Sequence, residues 1–140
     1  MSTVLIGNAK PAAGRMPFKV GTVVQFLPMT KASIANDPVI KELVKRIVRS
    51  GTPEQVILFG SRARGGSRPG SDYDFLVIKD MPVAARRAYR RVVQRSLMGL
   101  GVSKDVIVAT PEEVGRFGKI SGTVLKPALD EGITLYERAA

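Results

Sequence analysis

The sequence predicts one α+β domain, an α/β sandwich in which helices pack on a small mixed β-sheet. A chain of 140 residues with a hydrophobic fraction of 44% is long and apolar enough to bury one core. Three apolar runs of four residues, each bounded by Gly, Pro or polar residues, have the length of buried strands, and residues 133–136 form a fourth short strand candidate. Segments with helical spacing lie between these runs, and this alternation favours helices packed against a sheet.

The first 35 residues are predicted to form a partly loose N-terminal extension ahead of a domain over residues 36–140. Pro and Gly are scattered through this extension, and no helical period is sustained in it. Residues 20–27 are compatible with a short strand, and no catalytic residue is expected in the extension. Its role stays open.

The first helix of the domain is predicted to begin at Asp37 and to end before Gly51. Asp37 is a good N-cap, and Pro38 suits the first turn because an amide at that position has no partner within the helix. Its apolar residues recur at helical spacing: Val39, Ile40, Leu43, Val44, Ile47 and Val48. A buried strand over residues 56–59 is expected to follow.

A second strand is predicted over residues 75–78, and a long amphipathic helix over residues 82–100. Apolar residues line one face of that helix. Its other face carries Arg86, Arg87, Arg90, Arg91 and Arg95. The remaining predicted elements are a strand over 106–109, a helical turn over 111–114, a helix over 123–131 and a strand over 133–136.

The charge balance indicates an anionic partner and limits the available chemistry. With 22 Lys and Arg against 12 Asp and Glu, the formal charge is +10, which favours nucleotides, nucleic acid or acidic proteins without choosing among them. Because the chain has no Cys and no His, thiolate and imidazole chemistry are excluded, and acid-base or metal chemistry must use carboxylates. No apolar run reaches the roughly 20 residues of a membrane span, so a soluble cytoplasmic protein is expected.

A candidate phosphate-binding turn follows the strand over residues 56–59. Gly60 ends that strand, and Ser61 is predicted to cap a short helical turn whose free amides attract an anion. Arg62 and Arg64 add positive charge at the same place. The sequence resembles a P-loop here, but Gly66 stands where that motif requires lysine, so a P-loop is rejected.

Two carboxylates precede the strand over residues 75–78. Because side chains alternate along a strand, Asp72 and Asp74 are expected on one face and Tyr73 on the other. Two such charges about 4 Å apart repel by about 4 kcal/mol at an effective dielectric of about 20, and a divalent cation removes that penalty. Oxygen ligands alone suit Mg²⁺ or Mn²⁺. The competing interpretation is that Asp72 is only a turn residue after Gly70.

Asp105 begins the next apolar run and brings a third carboxylate if its strand lies beside that of Asp74. Three acidic groups can hold two metal ions, and two-metal sites serve in-line nucleotidyl displacement. Taken alone, Asp105 can equally be a solvent-facing residue at the start of a strand.

The spacing of these residues resembles a known family motif. A Gly-Ser pair after a strand, ten further residues, and a D-x-D that leads into an apolar strand are similar to the motif of the nucleotidyltransferase superfamily that includes DNA polymerase beta. The string GSRARGGSRPGSDYDFLVI, residues 60–78, resembles the minimal nucleotidyltransferase (MNT) domains, as does the ending ALDEGITLYER, residues 128–138. The resemblance spans roughly residues 37–138 and implies the polymerase beta-like nucleotidyltransferase fold.

The resemblance also implies an activity and roles for individual residues. The activity is magnesium-dependent transfer of a nucleoside monophosphate, AMP in particular, from a triphosphate, with pyrophosphate leaving. Nucleotide contacts would come from Gly60, Ser61, Arg62 and Arg64. Metal ligation and catalysis would come from Asp72, Asp74 and Asp105, and Asp105 would also activate the incoming hydroxyl.

A protein partner is a further implication of the resemblance. Minimal nucleotidyltransferases are frequently paired with a HEPN-domain protein in toxin-antitoxin modules, where they adenylylate a tyrosine of the toxin. Two alternatives stay open: an inactive antitoxin of the same fold that acts by contact, and a nucleic-acid-binding module that uses the basic helix. Homo- and hetero-oligomers are both compatible with the sequence. Small-molecule modification is disfavoured, because relatives with that activity usually carry a further helical domain.

Overall fold

The computed structural model describes residues 30–139, so the strand considered over residues 20–27 lies outside the described part of the chain. The elements, in order, are α1 (Lys31–Ala35), α2 (Pro38–Arg49), β1 (Gln55–Phe59), α3 (Ser61–Arg64), β2 (Tyr73–Ile78), a 3-10 turn (Val83–Ala85), α4 (Arg86–Ser96), β3 (Lys104–Ala109), α5 (Pro111–Phe117), α6 (Leu125–Glu131) and β4 (Ile133–Glu137). None of the helices within residues 30–139 has both the length and the apolar character to cross a membrane.

The four strands form one mixed sheet in the order β3-β2-β1-β4, which confirms the predicted α+β architecture. β1 is antiparallel to β2 and to β4, whereas β2 and β3 are parallel. A parallel pair needs a crossover connection, and α4 provides it. In the parallel register, Asp74 of β2 lies opposite Asp105 of β3.

Successive side chains of each strand point to opposite faces of the sheet, and each face carries its own apolar core. The first face packs against α1, α2 and α4 through Leu58, Phe75 and Val106, together with Leu43 and Val93 of the helices. The second face carries a smaller apolar cluster that is closed by α5 and α6. The even-numbered residues of β2 belong to the second face, so Asp74 lies on the same face as Leu76.

The long helix predicted over residues 82–100 is shorter in the structure. Residues Val83–Ala85 form a 3-10 turn, and the α-helix ends at Ser96. Leu97 turns into the core, where it is fully buried, and Gly99 and Gly101 follow with φ of +88° and +69°. These left-handed glycines end the helix before residue 100.

Helix α5 is longer than the helical turn predicted over residues 111–114. Thr110 and Glu113 form a capping box, in which each side chain accepts a hydrogen bond from the other residue's backbone amide. This cap stabilises the first turn and lets the helix continue to Phe117.

The end of the predicted N-terminal extension joins the folded unit. α1 is capped by Thr30, whose hydroxyl accepts a hydrogen bond from the Ser33 amide at 3.0 Å. Ile34 is only 1% exposed and lies in the larger core cluster. The boundary at residue 36 stays a prediction, but the apolar contact of Ile34 continues the core to its N-terminal side.

Candidate active site

The three predicted carboxylates lie at one end of the sheet, and those of Asp74 and Asp105 lie on its second face. Asp74 lies within β2, Asp72 precedes the strand, and Asp105 is the second residue of β3. Because β2 and β3 are parallel and Asp74 is in register with Asp105, their side chains leave the sheet in the same direction from neighbouring strands. Tyr73, between the two aspartates, points to the opposite face and is 5% exposed.

Asp74 lies in surroundings that disfavour its ionised form. Its partial burial raises the pKa of Asp74, and the negative charges of Asp72 and Asp105 raise it further. The Arg64 guanidinium acts on this pKa in the opposite direction without cancelling the rise. The ionised form of Asp74 is therefore unfavourable until a positive charge is supplied.

Asp105 has a cationic neighbour that the sequence did not reveal. Nη2 of Arg90, on α4, lies 3.6 Å from Oδ1 of Asp105, and Arg90 Nε donates to the Val106 carbonyl oxygen at 2.7 Å. Arg90 thus reaches around the outer edge of β3. The Asp105 side chain is 54% exposed, so this ion pair stays in contact with solvent.

The carboxylates of Asp72, Asp74 and Asp105 are suitable ligands for a hard divalent cation, but they do not form a complete coordination site by themselves. The acidic side chains near Asp74 are the carboxylates of Asp72 and Asp105, and a cation would relieve the unfavourable charge of Asp74. Within residues 30–139, no group of three or more acidic side chains is already arranged to hold a metal ion together. Metal binding would therefore be completed by water and substrate phosphates, as Mg²⁺ prefers.

Gly60 lies directly against Asp74. It has φ of +75° and ψ of −159°, a combination that is essentially restricted to glycine. A Cβ atom built on Gly60 would collide with Oδ2 of Asp74. The backbone after β1 can therefore approach the Asp74 carboxylate closely only because residue 60 has no side chain.

Gly60, rather than Ser61, is the N-cap of α3. Ser61 is the first helical residue, and no side chain caps this helix, so the prediction that Ser61 caps the turn is wrong. Glycine takes the cap position because only its backbone adopts the required angles. The amides of Ala63 and Arg64 both donate to the Gly60 carbonyl, at 3.1 and 3.2 Å. The amides of Ser61 and Arg62 precede these bonds and lie on the outer end of the turn.

The two arginines of α3 point in different directions. The Arg62 guanidinium stacks on the Tyr73 ring, 3.8 Å from its centroid, and its Nε donates to the Ser71 carbonyl at 3.1 Å. Arg62 therefore lies toward the face opposite the aspartates. Arg64 lies on the aspartate side, where Nη1 is 3.3 Å from Oε1 of Glu131.

The chain matches the family model of the nucleotidyltransferase domain over residues 40–131. It is similar to a solved structure of a Sulfolobus solfataricus protein assigned as a nucleotidyltransferase, with 26% sequence identity, a TM-score of 0.50, and coverage of 77% of this chain and 84% of that chain. A toxin-antitoxin structure with AMP-PNP shares 20% identity at a TM-score of 0.43, over 69% of this chain and 72% of that chain. No curated protein matches the chain. The matched residues 40–131 include Gly60 and all three aspartates.

Proposed function

The chain belongs to the nucleotidyltransferase domain family, and on that premise we propose that it transfers AMP from ATP to a hydroxyl group of an acceptor protein. The observation that carries this proposal is the register of Asp74 with Asp105 across two parallel strands, with the charge of Asp72 near enough to raise the pKa of Asp74. The choice of an adenine nucleotide and of a protein acceptor comes from the resemblance of residues 60–78 to minimal nucleotidyltransferases.

The proposed reaction is a single in-line displacement. The acceptor hydroxyl oxygen forms a bond to the α-phosphorus, the bond between the α-phosphorus and the bridging oxygen to the β-phosphorus breaks, and pyrophosphate leaves. The hydroxyl proton passes to the Asp105 carboxylate. Its place at the solvent-exposed edge strand suits this role, because an acceptor side chain can approach it there.

The nucleotide is proposed to bind against the turn after β1. Gly60 lets the backbone approach Asp74, and the amides of Ser61 and Arg62 lie at the start of α3. Arg64 is the arginine whose position supports phosphate binding, whereas the contact of the Arg62 side chain with Tyr73 supports such a role least. Asp72, Asp74 and Asp105 are the proposed ligands of two divalent cations, Mg²⁺ or Mn²⁺. When bound, such ions would neutralise the carboxylates and the developing phosphate charge.

The proposed acceptor is a tyrosine of a HEPN-domain partner in a toxin-antitoxin pair. This proposal rests on the resemblance to minimal nucleotidyltransferases, and the strongly basic chain suits an acidic partner.

A second candidate is an antitoxin of the same fold that neutralises its partner by contact alone. The observation that favours it is the Asp105–Arg90 ion pair, in which one of the three carboxylates already has a cationic partner. If contact alone suffices, a variant without Asp74 will protect against the partner as well as the wild type does.

Transfer of label from ATP separates these candidates. The chain is incubated with Mg²⁺ and ATP labelled on the α-phosphate, with the protein encoded by the adjoining reading frame as acceptor. We expect the acceptor to gain the α label but not a γ label, and Asp74→Asn to abolish the transfer. Asp80→Asn is the matched control, because Asp80 is exposed and follows the other end of β2. Equal labelling by wild type and Asp74→Asn would refute the catalytic proposal.

A further inference from the structure

A groove runs along the first face of the sheet, between α2 and the edge strand β4. α2 lines it from Ile40 to Arg49, and β4 lines it with residues 134–136. We call it the edge groove, and its volume is about 510 Å³. β4 is the last strand in the order β3-β2-β1-β4, so within residues 30–139 it pairs with β1 alone. The edge groove therefore borders an open edge of the sheet.

The floor of the edge groove is apolar. It is formed by side chains that are half-buried at the margin of the larger core: Val44, Val48, Leu135 and Tyr136. Because these side chains line the groove as well as packing on the core, a ligand that enters the groove removes further apolar surface from water. Burial of such surface favours binding.

One wall of the edge groove is a line of cations. Lys41, Lys45 and Arg49 lie four residues apart on α2, so successive members are about 6 Å apart along the helix axis. All three residues are exposed. None of the ion pairs within residues 30–139 involves any of them. In the described part of the chain, the wall thus carries three positive charges without a carboxylate partner.

The acidic residues of α2 and β4 do not neutralise this wall. On α2, Oε2 of Glu42 lies 2.8 Å from Nε of Arg46. On β4, Glu137 accepts a hydrogen bond from Nε2 of Gln55 at 3.0 Å and lines a separate cavity. The wall of the edge groove therefore attracts negatively charged groups.

The backbone of β4 offers hydrogen bonds on its open side. The Arg138 amide donates to the Glu54 carbonyl at 2.8 Å, on the side of β1. Successive residues of an antiparallel strand direct their backbone groups to opposite sides, so the amide and carbonyl of Glu137 point away from β1. An open edge of this kind is a template for pairing with an extended segment.

We propose that the edge groove binds an extended, acidic segment of another protein, which adds a fifth strand to the sheet beside β4. On one face of such a strand, side chains repeat about every 6.7 Å. Two acidic side chains four residues apart are then separated by about 13 Å, which matches the distance of about 12 Å from Lys41 to Arg49 along α2. An apolar side chain midway between them lies over the floor of the groove.

The charges and the floor of the edge groove disfavour three other occupants. Residues 1–29 contain Lys10, Arg15 and Lys19 and no acidic residue, so they do not complement the wall. A second copy of the chain would bring an equal set of three cations to the groove. The backbone of a nucleic acid supplies negative charge but leaves the apolar floor uncovered. A protein segment with both acidic and apolar side chains complements the wall and the floor together.

The proposal does not depend on nucleotidyl transfer. The edge groove lies on the first face of the sheet, whereas the carboxylates of Asp74 and Asp105 lie on the second. Removal of charge from the groove should therefore leave nucleotide binding at the wild-type level, and loss of transfer should leave binding of the segment intact.

Isothermal titration calorimetry of the full chain tests the proposal with the nine-residue peptide acetyl-STETITETS-amide. Its two glutamates are four residues apart, and its isoleucine lies midway between them on the same face of an extended chain. We expect saturable binding at peptide concentrations below 1 mM in 50 mM KCl. At 500 mM KCl the affinity should fall at least threefold, because salt screens exposed charges. The control peptide acetyl-STKTITKTS-amide carries the opposite charge and should not bind.

Matched charge variants locate the binding site. Lys41→Gln combined with Arg49→Gln should weaken peptide binding at least fivefold and leave nucleotide binding unchanged. Arg87→Gln combined with Lys119→Gln removes the same charge from exposed sites elsewhere and should change the peptide affinity less than twofold. Because all four residues are exposed, thermal unfolding of both variants should match the wild type and verify that the fold is retained.

The Glu137 amide tests whether the ligand binds as a strand. Saturating peptide should slow the solvent exchange of this amide, measured by NMR, at least 10-fold, because a carbonyl of the added strand accepts its hydrogen bond. A second peptide carries N-methyl groups on its isoleucine and on the threonine before it. Adjacent amides of a strand point to opposite sides, so one of these two faces β4, and the N-methylated peptide should bind at least fivefold more weakly.

Several results in these experiments would overturn the proposal. One is the absence of saturable binding below 1 mM, and another is equal binding of the lysine peptide. An equal loss of affinity in the two double variants would place the site elsewhere. Unchanged affinity of the N-methylated peptide, or unchanged exchange of the Glu137 amide, would show that the ligand is not an added strand.

Three further results would assign the edge groove to another occupant. Slow exchange of the Glu137 amide without peptide would assign the groove to residues 1–29, or to a second copy if the exchange slows further as the protein concentration rises. A 20-base-pair DNA duplex provides the third. If Lys41→Gln combined with Arg49→Gln weakens binding of the duplex but not of the peptide, the wall binds nucleic acid instead.

Discussion

Asp74 and Asp105 occupy the same register position of two adjacent parallel strands, and both carboxylates leave the sheet on the same face. This relationship joins residues 31 positions apart in the chain and depends on the crossover through α4. Burial and the neighbouring charges of Asp72 and Asp105 raise the pKa of Asp74, so folding places a negative charge where it is unfavourable. Such local destabilisation is typical of functional sites.

The raised pKa of Asp74 predicts a pH-dependent gain in stability for Asp74→Asn. In the wild type, the folded state holds the Asp74 proton more tightly than the unfolded state, whose pKa is near 3.8. The free energy of unfolding of the wild type therefore falls as the pH rises from about 4 through the raised pKa of Asp74. At pH 7 we expect the variant to melt a few degrees above the wild type. At pH 3, where Asp74 is protonated in the wild type, we expect the two proteins to melt at the same temperature. A wild type that is more stable than Asp74→Asn at pH 7 in metal-free buffer would contradict this expectation.

Gly60→Ala should damage both stability and transfer. The substitution forces a side chain into backbone angles reserved for glycine and against Oδ2 of Asp74, at a cost of about 1–3 kcal/mol in the free energy of unfolding. Urea denaturation measures the first effect and labelling of the acceptor the second. Gly66→Ala is the matched control: Gly66 lies just after α3 with open space where a Cβ would be, and both quantities should stay close to wild type.

Glu113 should stabilise the fold in a pH-dependent manner. Burial raises the pKa of Glu113, but the Thr110 amide and the Arg86 guanidinium outweigh burial and hold this pKa below 4.5. The stabilisation is therefore present above pH 4.5 and is lost as the pH falls through the lowered pKa. Glu113→Gln retains the capping box and removes the charge, so we expect a loss of about 1 kcal/mol at pH 7.

At pH 3, Glu113→Gln and wild type should unfold at the same denaturant concentration. Glu113→Ala removes the cap as well and should cost about 1 kcal/mol more at pH 7. A deficit of Glu113→Gln that persists unchanged at pH 3 would show that charge is not the cause.

Ile34→Ala tests whether α1 belongs to the folded unit. Ile34 is 1% exposed within the main core, so truncation should lower the free energy of unfolding by about 2–4 kcal/mol. Val83→Ala removes an apolar side chain that is 63% exposed and should change stability by less than about 0.5 kcal/mol. Comparable effects of the two substitutions would place Ile34 outside the core.

Local patterns predicted the sheet and the placement of the aspartates well. The alternation of Tyr73 and Asp74 predicted that these side chains lie on opposite faces, because a strand has a period of two residues. The Asp37 cap and the Gly99 and Gly101 turn are likewise local signals, and they located the ends of α2 and α4 to within a few residues.

The parts that the sequence did not predict depend on contacts between distant residues. Gly60 touches Asp74, and Arg90 reaches Asp105 around the edge of β3, but neither contact has a local pattern. Arg62 was grouped with Arg64 by sequence proximity, although residues two apart in a helix point about 200° away from each other. α1 has only five residues, too few for a helical period to be visible.

Binding of a nucleotide-metal complex tests the central claim most directly. Isothermal titration calorimetry would compare a non-hydrolysable α,β-methylene ATP analogue with Mn²⁺ and without it, using wild type, Asp74→Asn and the control Asp80→Asn. We predict that wild type and Asp80→Asn bind the analogue at least 10-fold more tightly with Mn²⁺, and that Asp74→Asn loses this metal dependence. Equal dependence on Mn²⁺ in Asp74→Asn and wild type would show that the carboxylates at the β2–β3 register do not bind the metal.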